Sequence, residues 1–193
     1  MAQTTKLEKK SGVSREIEIP NGVQVSKDGR TIIVKGIKGE LKRNFLQPKI
    51  KIDIQENKVI LSSNEDRRKI NSVLGAWQAH IKNMCLGASI GWKCEMKLVF
   101  AHFPAKMSIK DNEFVIQNFL GERSSRSTKL PSDVSVKVDK ENLTISGVDK
   151  EQVGIAASRI EGVTRIVGFD KRVFQDGCFI TQHPHLAEQI YGK

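Results

Sequence analysis

Two stretches of this chain are versions of one another. IPNGVQVSKDGRTIIVKGIKGE, residues 19–40, aligns without a gap on LPSDVSVKVDKENLTISGVDKE, residues 130–151, at an offset of 111. Pro20 falls on Pro131, Val23 on Val134, Val25 on Val136, Asp28 on Asp139, Val34 on Ile145 and Gly36 on Gly147. Apolar residues alternate on both sides of KDG in one copy and DKEN in the other, the pattern of two strands joined by a tight reversal. Matches of this number in one register imply a duplication. A duplication within 193 residues restricts the chain to two small, similar units.

Each copy is followed by one amphipathic helix. In the first, Ile70, Val73, Leu74, Trp77, Ile81 and Met84 recur at three- and four-residue steps, with Ser63 and Asp66 as a capping box and Gly87 as the stop. In the second, Val153, Ala156, Ala157 and Ile160 form a narrower stripe, capped by Asp149 and Gln152 and ended by Gly162. QPKIKIDIQENKVILSS adds two strands to the first unit around QEN, and residues 92–118 add three to the second, with reversals near Pro104 and at KDN. The fold class is α+β, two similar domains each of antiparallel sheet with one helix. The expected divisions are a basic N-terminal arm over 1–18, a first repeat over 19–87, a second over 88–180 and a C-terminal tail over 181–193.

Charge narrows the partner. Thirty-two Lys and Arg stand against 22 Asp and Glu, a net +10, which points to a polyanion. The surplus is uneven: residues 1–90 hold 17 basic and 9 acidic side chains, and residues 91–193 hold 15 and 13. No apolar run approaches the length of a membrane span and no helix has a wholly basic face, so nucleic acid is preferred to a membrane surface. The N-terminal residues lack an apolar segment of the signal-peptide kind, and three cysteines without CxxC spacing fit free thiols in a reducing cytoplasm.

The candidate contacts lie on loops. In NFLGERSSRSTKLP, residues 118–131, Arg123, Arg126 and Lys129 are interleaved with Ser124, Ser125 and Ser127. Guanidinium groups fork onto phosphate oxygens, and hydroxyls serve phosphate or ribose. In KGIKGELKR, Lys35, Lys38, Lys42 and Arg43 either touch phosphate or are merely exposed. The G-x-x-G there has strand-like flanks, unlike the KH clamp between two helices. With 6% aromatic residues and no RRM-type cluster, the chain is expected to read RNA by shape and backbone and not by splaying out bases. Trp77 belongs to the core stripe; Trp92 is open to either reading.

Catalysis finds little footing. Cys85, Cys94 or Cys178 paired with His80 or His102 would be a nucleophile–base couple on the same scaffold, the alternative enzymatic reading. No nucleophile elbow, P-loop or HExxH is present, and HPH at 183–185 reads as incidental. The expectation is no catalytic residue, no metal and no cofactor.

Four segments, VKGIKGELKRNF (34–45), FAHFP (100–104), NFLGER (118–123) and RVFQDGCFI (172–180), resemble the family of ribosomal protein six of the large subunit, counted as nine in eukaryotes. AHFP looks like the eukaryotic branch. The resemblance implies a duplicated α+β protein that binds large-subunit ribosomal RNA near the stalk base and sarcin–ricin region. It also implies neighbouring large-subunit proteins and nearby translation factors as partners, with no homo-oligomer. It adds Lys171 and Arg172 as RNA contacts, with Gly177 permitting tight backbone geometry; the residues alone read equally as a plain hairpin turn at Asp-Gly, with Phe174 and Phe179 anchoring it to the core.

Overall fold

The computed structural model describes residues 12–55, 57–101 and 103–187. Most of the N-terminal arm, His102 of FAHFP, Glu56 of QEN and the last six residues of the tail lie outside the described residues. The chain divides into two compact units, residues 1–36 with 40–85 and residues 37–39 with 86–193.

The first unit runs β1 (Val13–Glu18), β2 (Gln24–Asp28), β3 (Thr31–Lys35), β4 (Glu40–Asn44), β5 (Ile50–Gln55) and β6 (Lys58–Ser63) into α1 (Arg68–Ser89). It forms two antiparallel three-stranded sheets, ordered β1-β6-β5 and β2-β3-β4. Alternation sets their inner faces: Ile32 and Val34 of β3 and Val59 and Leu61 of β6 are fully buried. The helical stripe turns inward as its spacing predicts, with Ile70, Leu74, Trp77 and Ile81 buried, and Trp77 meets Phe45 edge-on at 5.0 Å.

The second unit runs β7 (Trp92–Val99), β8 (Lys106–Lys110), β9 (Glu113–Gln117), β10 (Arg126–Lys129), β11 (Val134–Asp139) and β12 (Asn142–Gly147) into α2 (Lys150–Val163) and β13 (Gly177–Leu186). Its sheets are ordered β10-β9-β8 and β11-β12-β7-β13, all antiparallel. Val153, Ala156, Ala157 and Ile160 of α2 are buried with Cys94, Met96 and Leu143 of the larger sheet. Asp149 caps α2, its carboxylate accepting from the Glu151 N–H at 2.9 Å. Trp92 is buried, and the Lys150 ammonium lies 4.6 Å from its ring centre.

The duplication stands, but its offset is not 111. Sheet order pairs β1-β6-β5 with β7-β12-β11, and β2-β3-β4 with β8-β9-β10. Ile50 corresponds to Val134 and Lys58 to Asn142, each 84 positions apart. The hairpin β11–β12 is therefore the counterpart of β5–β6, not of β2–β3. Alternating apolar residues about a polar turn recur in every hairpin, so two non-equivalent hairpins match in sequence.

Other local expectations change for identifiable reasons. Residues 13–18, expected in a basic arm, form β1 because Val13, Arg15 and Ile17 alternate inward against β6. Residues 181–186, expected in the tail, continue β13 along β7. Ser63 pairs with both β1 and β5 and is buried, so it lies ahead of α1, where its hydroxyl accepts from the Glu65 N–H. Asp66 accepts instead from the Asn71 side chain at 2.6 Å.

Gly87 does not stop α1, which runs two residues further. It is there for space: a Cβ would collide with the Val148 carbonyl and lie 2.8 Å from the Trp92 indole nitrogen. Gly162, inside the last turn of α2, has nothing within 4 Å of such a Cβ. Gly87→Ala should therefore destabilise by about 1–3 kcal/mol despite alanine's better helix propensity, whereas Gly162→Ala should stabilise by roughly 0.5–1 kcal/mol. Denaturant unfolding of the two variants checks the opposite signs.

Candidate nucleic-acid interface

Residues 118–125 join β9 to β10, the position that residues 36–39 occupy between β3 and β4. The segment opens by driving a plug into the core. Phe119 and Leu120 are buried on a single 3-10 turn, while Asn118, Leu120 and Gly121 take left-handed backbone with φ of 57°, 53° and 75°. That conformation costs a branched residue about 1–2 kcal/mol, offset here by burial of the leucine. The Phe103 ring lies 3.3 Å from where a Gly121 Cβ would stand. After Gly121 the chain emerges, leaving Arg123, Ser124 and Ser125 exposed.

Arg126, expected to fork onto phosphate, spends its donors inside the unit. Nε and Nη2 donate to the Glu122 carboxylate at 2.8 and 2.5 Å, and Nη1 donates to the Val163 and Arg165 carbonyls at 2.9 and 3.0 Å. Its guanidinium also covers the Phe119 ring at 4.8 Å. Four of the group's five N–H bonds are thus engaged, and the β9–β10 segment is tied to the end of α2. The arginine holds the Glu122 carboxyl below its usual range, and its own pKa is raised by the same pair. Ser127 donates to Glu113 at 2.7 Å, while Lys129 is exposed and its carbonyl accepts from Arg159 at 3.0 Å.

The segment after α2 completes this face. Asp170 makes a turn, its carboxylate accepting from the Arg172 N–H at 2.9 Å and its carbonyl from Val173 and Phe174, which leaves Lys171 and Arg172 exposed. Asp176-Gly177 is not a turn. Gly177 is the first residue of β13, opposite Val99, and the buried Asp176 accepts from the Ala101 N–H at 2.9 Å. Gly177 is small because the Phe179 ring lies over it, 3.2 Å from where a Cβ would stand. Strand alternation sends Cys178 into the core and leaves Phe179 45% exposed, so Phe179 does not anchor this segment.

Arg123, Lys129, Lys171 and Arg172 are thus presented on two segments that Arg126 fastens together. Arg159 and Arg165, also exposed, belong with them. Neither stands out in the sequence; the helical phase of Arg159, opposite the Val153–Ile160 stripe, is the one signal that could have found it. In the other hairpin, Lys35 and Lys42 share the Glu40 carboxylate at 3.2 and 3.0 Å, which holds that exposed carboxyl below its usual range, the Lys42 bond first. Arg43 is half-buried, and the Lys38 N–H donates to the Ala88 carbonyl at 2.9 Å. Gly39 makes room for Val148, 3.3 Å from a Cβ there.

The three thiols are buried. Desolvation pushes Cys85 and Cys94 up to about 11 and Cys178 to about 12, so little thiolate exists near neutrality. Among the described residues no cluster of three or more His, Cys, Asp or Glu side chains could hold a metal ion.

Removing the fastening has a signed consequence. Arg126→Ala should lower the stability of the second unit by about 2 kcal/mol, the order expected when several charge-assisted bonds are lost. Because the Glu122 carboxyl is depressed in the folded state, the ion pair's contribution is present above about pH 4.5 and fades as pH falls through the folded value. Thermal unfolding followed from pH 7 to 3 should show the gap between wild type and variant narrowing on acidification.

Comparison with known proteins agrees with this architecture. The family model described as Ribosomal protein L6 matches residues 19–89 and 103–177. The large ribosomal subunit protein uL6 of Methanosarcina mazei is 40% identical over 170 residues, covering 88% of this chain and 97% of that protein. Its namesake in Haloarcula marismortui is 41% identical over 173 residues, covering 90% and 97%. That of Methanobrevibacter smithii is 41% identical over 170 residues, covering 88% and 96%. A duplicated α+β chain, matched along most of its length, belongs to the ribosomal protein L6 family.

Proposed function

We propose that the chain is a structural component of the large ribosomal subunit and binds ribosomal RNA through phosphate and ribose contacts. One observation carries this beyond the family relationship. Arg123, Lys129, Arg159, Arg165, Lys171 and Arg172 are exposed on segments that the half-buried Arg126 draws together. Separate cations on independent loops would each lose conformational entropy on binding; cations on braced segments lose less. Ser124 and Ser125 add hydroxyls suited to phosphate and 2′-hydroxyl groups.

In this reading Arg126 shapes the face and does not touch RNA, while Lys35, Lys38 and Lys42 offer a second contact region with its charge partly compensated by Glu40. The second unit sits near the stalk base and the sarcin–ricin region, among neighbouring subunit proteins and within reach of translation factors, in cytoplasmic ribosomes. The protein performs no catalysis. Buried, high-pKa thiols support that, since a nucleophile needs an accessible thiolate.

A tagged full-length copy should sediment with the large subunit and leave those fractions after ribonuclease treatment. Replacing Arg123, Lys171 and Arg172 together by Ala should reduce incorporation severalfold in competition with wild type. The variant's unfolding midpoint should not move, because all three side chains are exposed. Equal incorporation of the two would remove these residues from the interface.

A further inference from the structure

The end of α2, the segment that follows it and the start of β13 enclose a groove of about 790 Å³. Its lining includes Val99, Ile166, Phe174 and Phe179, with the cations Arg165 and Lys171 and the carboxylates Glu161 and Asp176 also present. Phe174 is braced by Phe169 at 5.0 Å, and Phe179 rests on Gly177. Phosphate contacts need no such walls. Phe179, 45% exposed, and Val99, 41% exposed, share this one groove, and contiguous exposed apolar surface beside polar groups is the kind that marks a binding site. The volume lies within the ~300–1,000 Å³ of small-ligand sites, ample for one nucleobase with its ribose.

We infer that this groove receives one unstacked base of the bound RNA, packed against the Phe179 ring. Arg165 and Lys171 meet the flanking phosphates, and the exposed Gln175 amide, which also lines the groove, offers both a donor and an acceptor to the base edge. The choice of a base over an acidic peptide follows from continuity. Arg165, whose carbonyl Arg126 binds, belongs both to the groove and to the cationic face already described. The inference rests on the RNA-binding reading and deepens it. It also revises the expectation that bases are never splayed out: the aromatic content is low, but its placement here supplies a stacking surface.

The test uses the full chain with a short single-stranded adenylate oligomer carrying 2-aminopurine, beside a blunt RNA duplex. Stacking on Phe179 should quench the 2-aminopurine fluorescence. Phe179→Ala should weaken single-strand binding about tenfold while leaving duplex binding unchanged, and Phe179→Tyr should restore it. Circular dichroism of each variant establishes that the fold is kept. Equal single-strand affinity of Phe179→Ala and wild type, or an equal loss on both RNAs, overturns the base pocket. Binding of the duplex alone also overturns it while sparing the RNA-binding reading; binding of neither removes both. Release of the single strand by a glutamate-rich amphipathic peptide, with poly-glutamate inert, would assign the groove to a protein instead.

Discussion

The presented face of the second unit depends on where one guanidinium points. Arg126 gives four donors to Glu122, Val163 and Arg165 and lays its plane over Phe119. One of those acceptors, the Val163 carbonyl, is the last of α2, which helix geometry leaves without an internal partner, and another, Arg165, lies just beyond the helix. The arginine therefore satisfies a helix terminus, neutralises a carboxylate and joins two segments far apart in sequence. A lysine has neither the planar fork nor enough donors to do this. Arg123, Lys171 and Arg172 lie on the two segments it joins and remain exposed.

The same chemistry explains why charge counts alone misread this stretch. Arg123 and Arg126 look alike in NFLGERSSRSTK, three positions apart among serines. The difference is a carboxylate four residues before Arg126, on the near side of a buried plug, and the strand phase that turns Arg126 inward. Glu122 is visible in the sequence, but the carbonyls of Val163 and Arg165 are not, because helix ends declare no partner until the chain is folded. Phe179 is misplaced by sequence for a related reason. Its exposure follows from the phase of β13, which starts at Gly177, and an Asp-Gly pair reads as a turn until Asp176 is seen buried against the Ala101 N–H.

Much else is legible. Period-two alternation locates the hairpins, and period-3.6 stripes give the buried faces of both helices, to the residue in α2 and nearly so in α1. Those signals are local, and each hairpin needs only its own side chains to encode them. The offset of the duplication is not local. Which hairpin of one unit answers which of the other is fixed by sheet order, and the 84-residue correspondence of β5–β6 with β11–β12 emerges only once β1 and β7 take their places beside β6 and β12. Gly87 makes the same point: a glycine near a helix end suggests a stop, whereas its real constraint is the backbone at Val148 and the indole of Trp92.

If exposed cations neutralise phosphates, salt reads their number directly. For nucleic acids the logarithm of affinity falls against the logarithm of salt with a slope of about −0.7 per phosphate neutralised on single strands and about −0.9 on duplex B-DNA. Affinity of the full chain for large-subunit RNA, titrated across salt, should show a steep slope that becomes shallower by roughly 2–3 when Arg123, Lys171 and Arg172 are all changed to Ala. A slope unaltered by the triple change would contradict the account, placing the phosphate contacts elsewhere on the molecule.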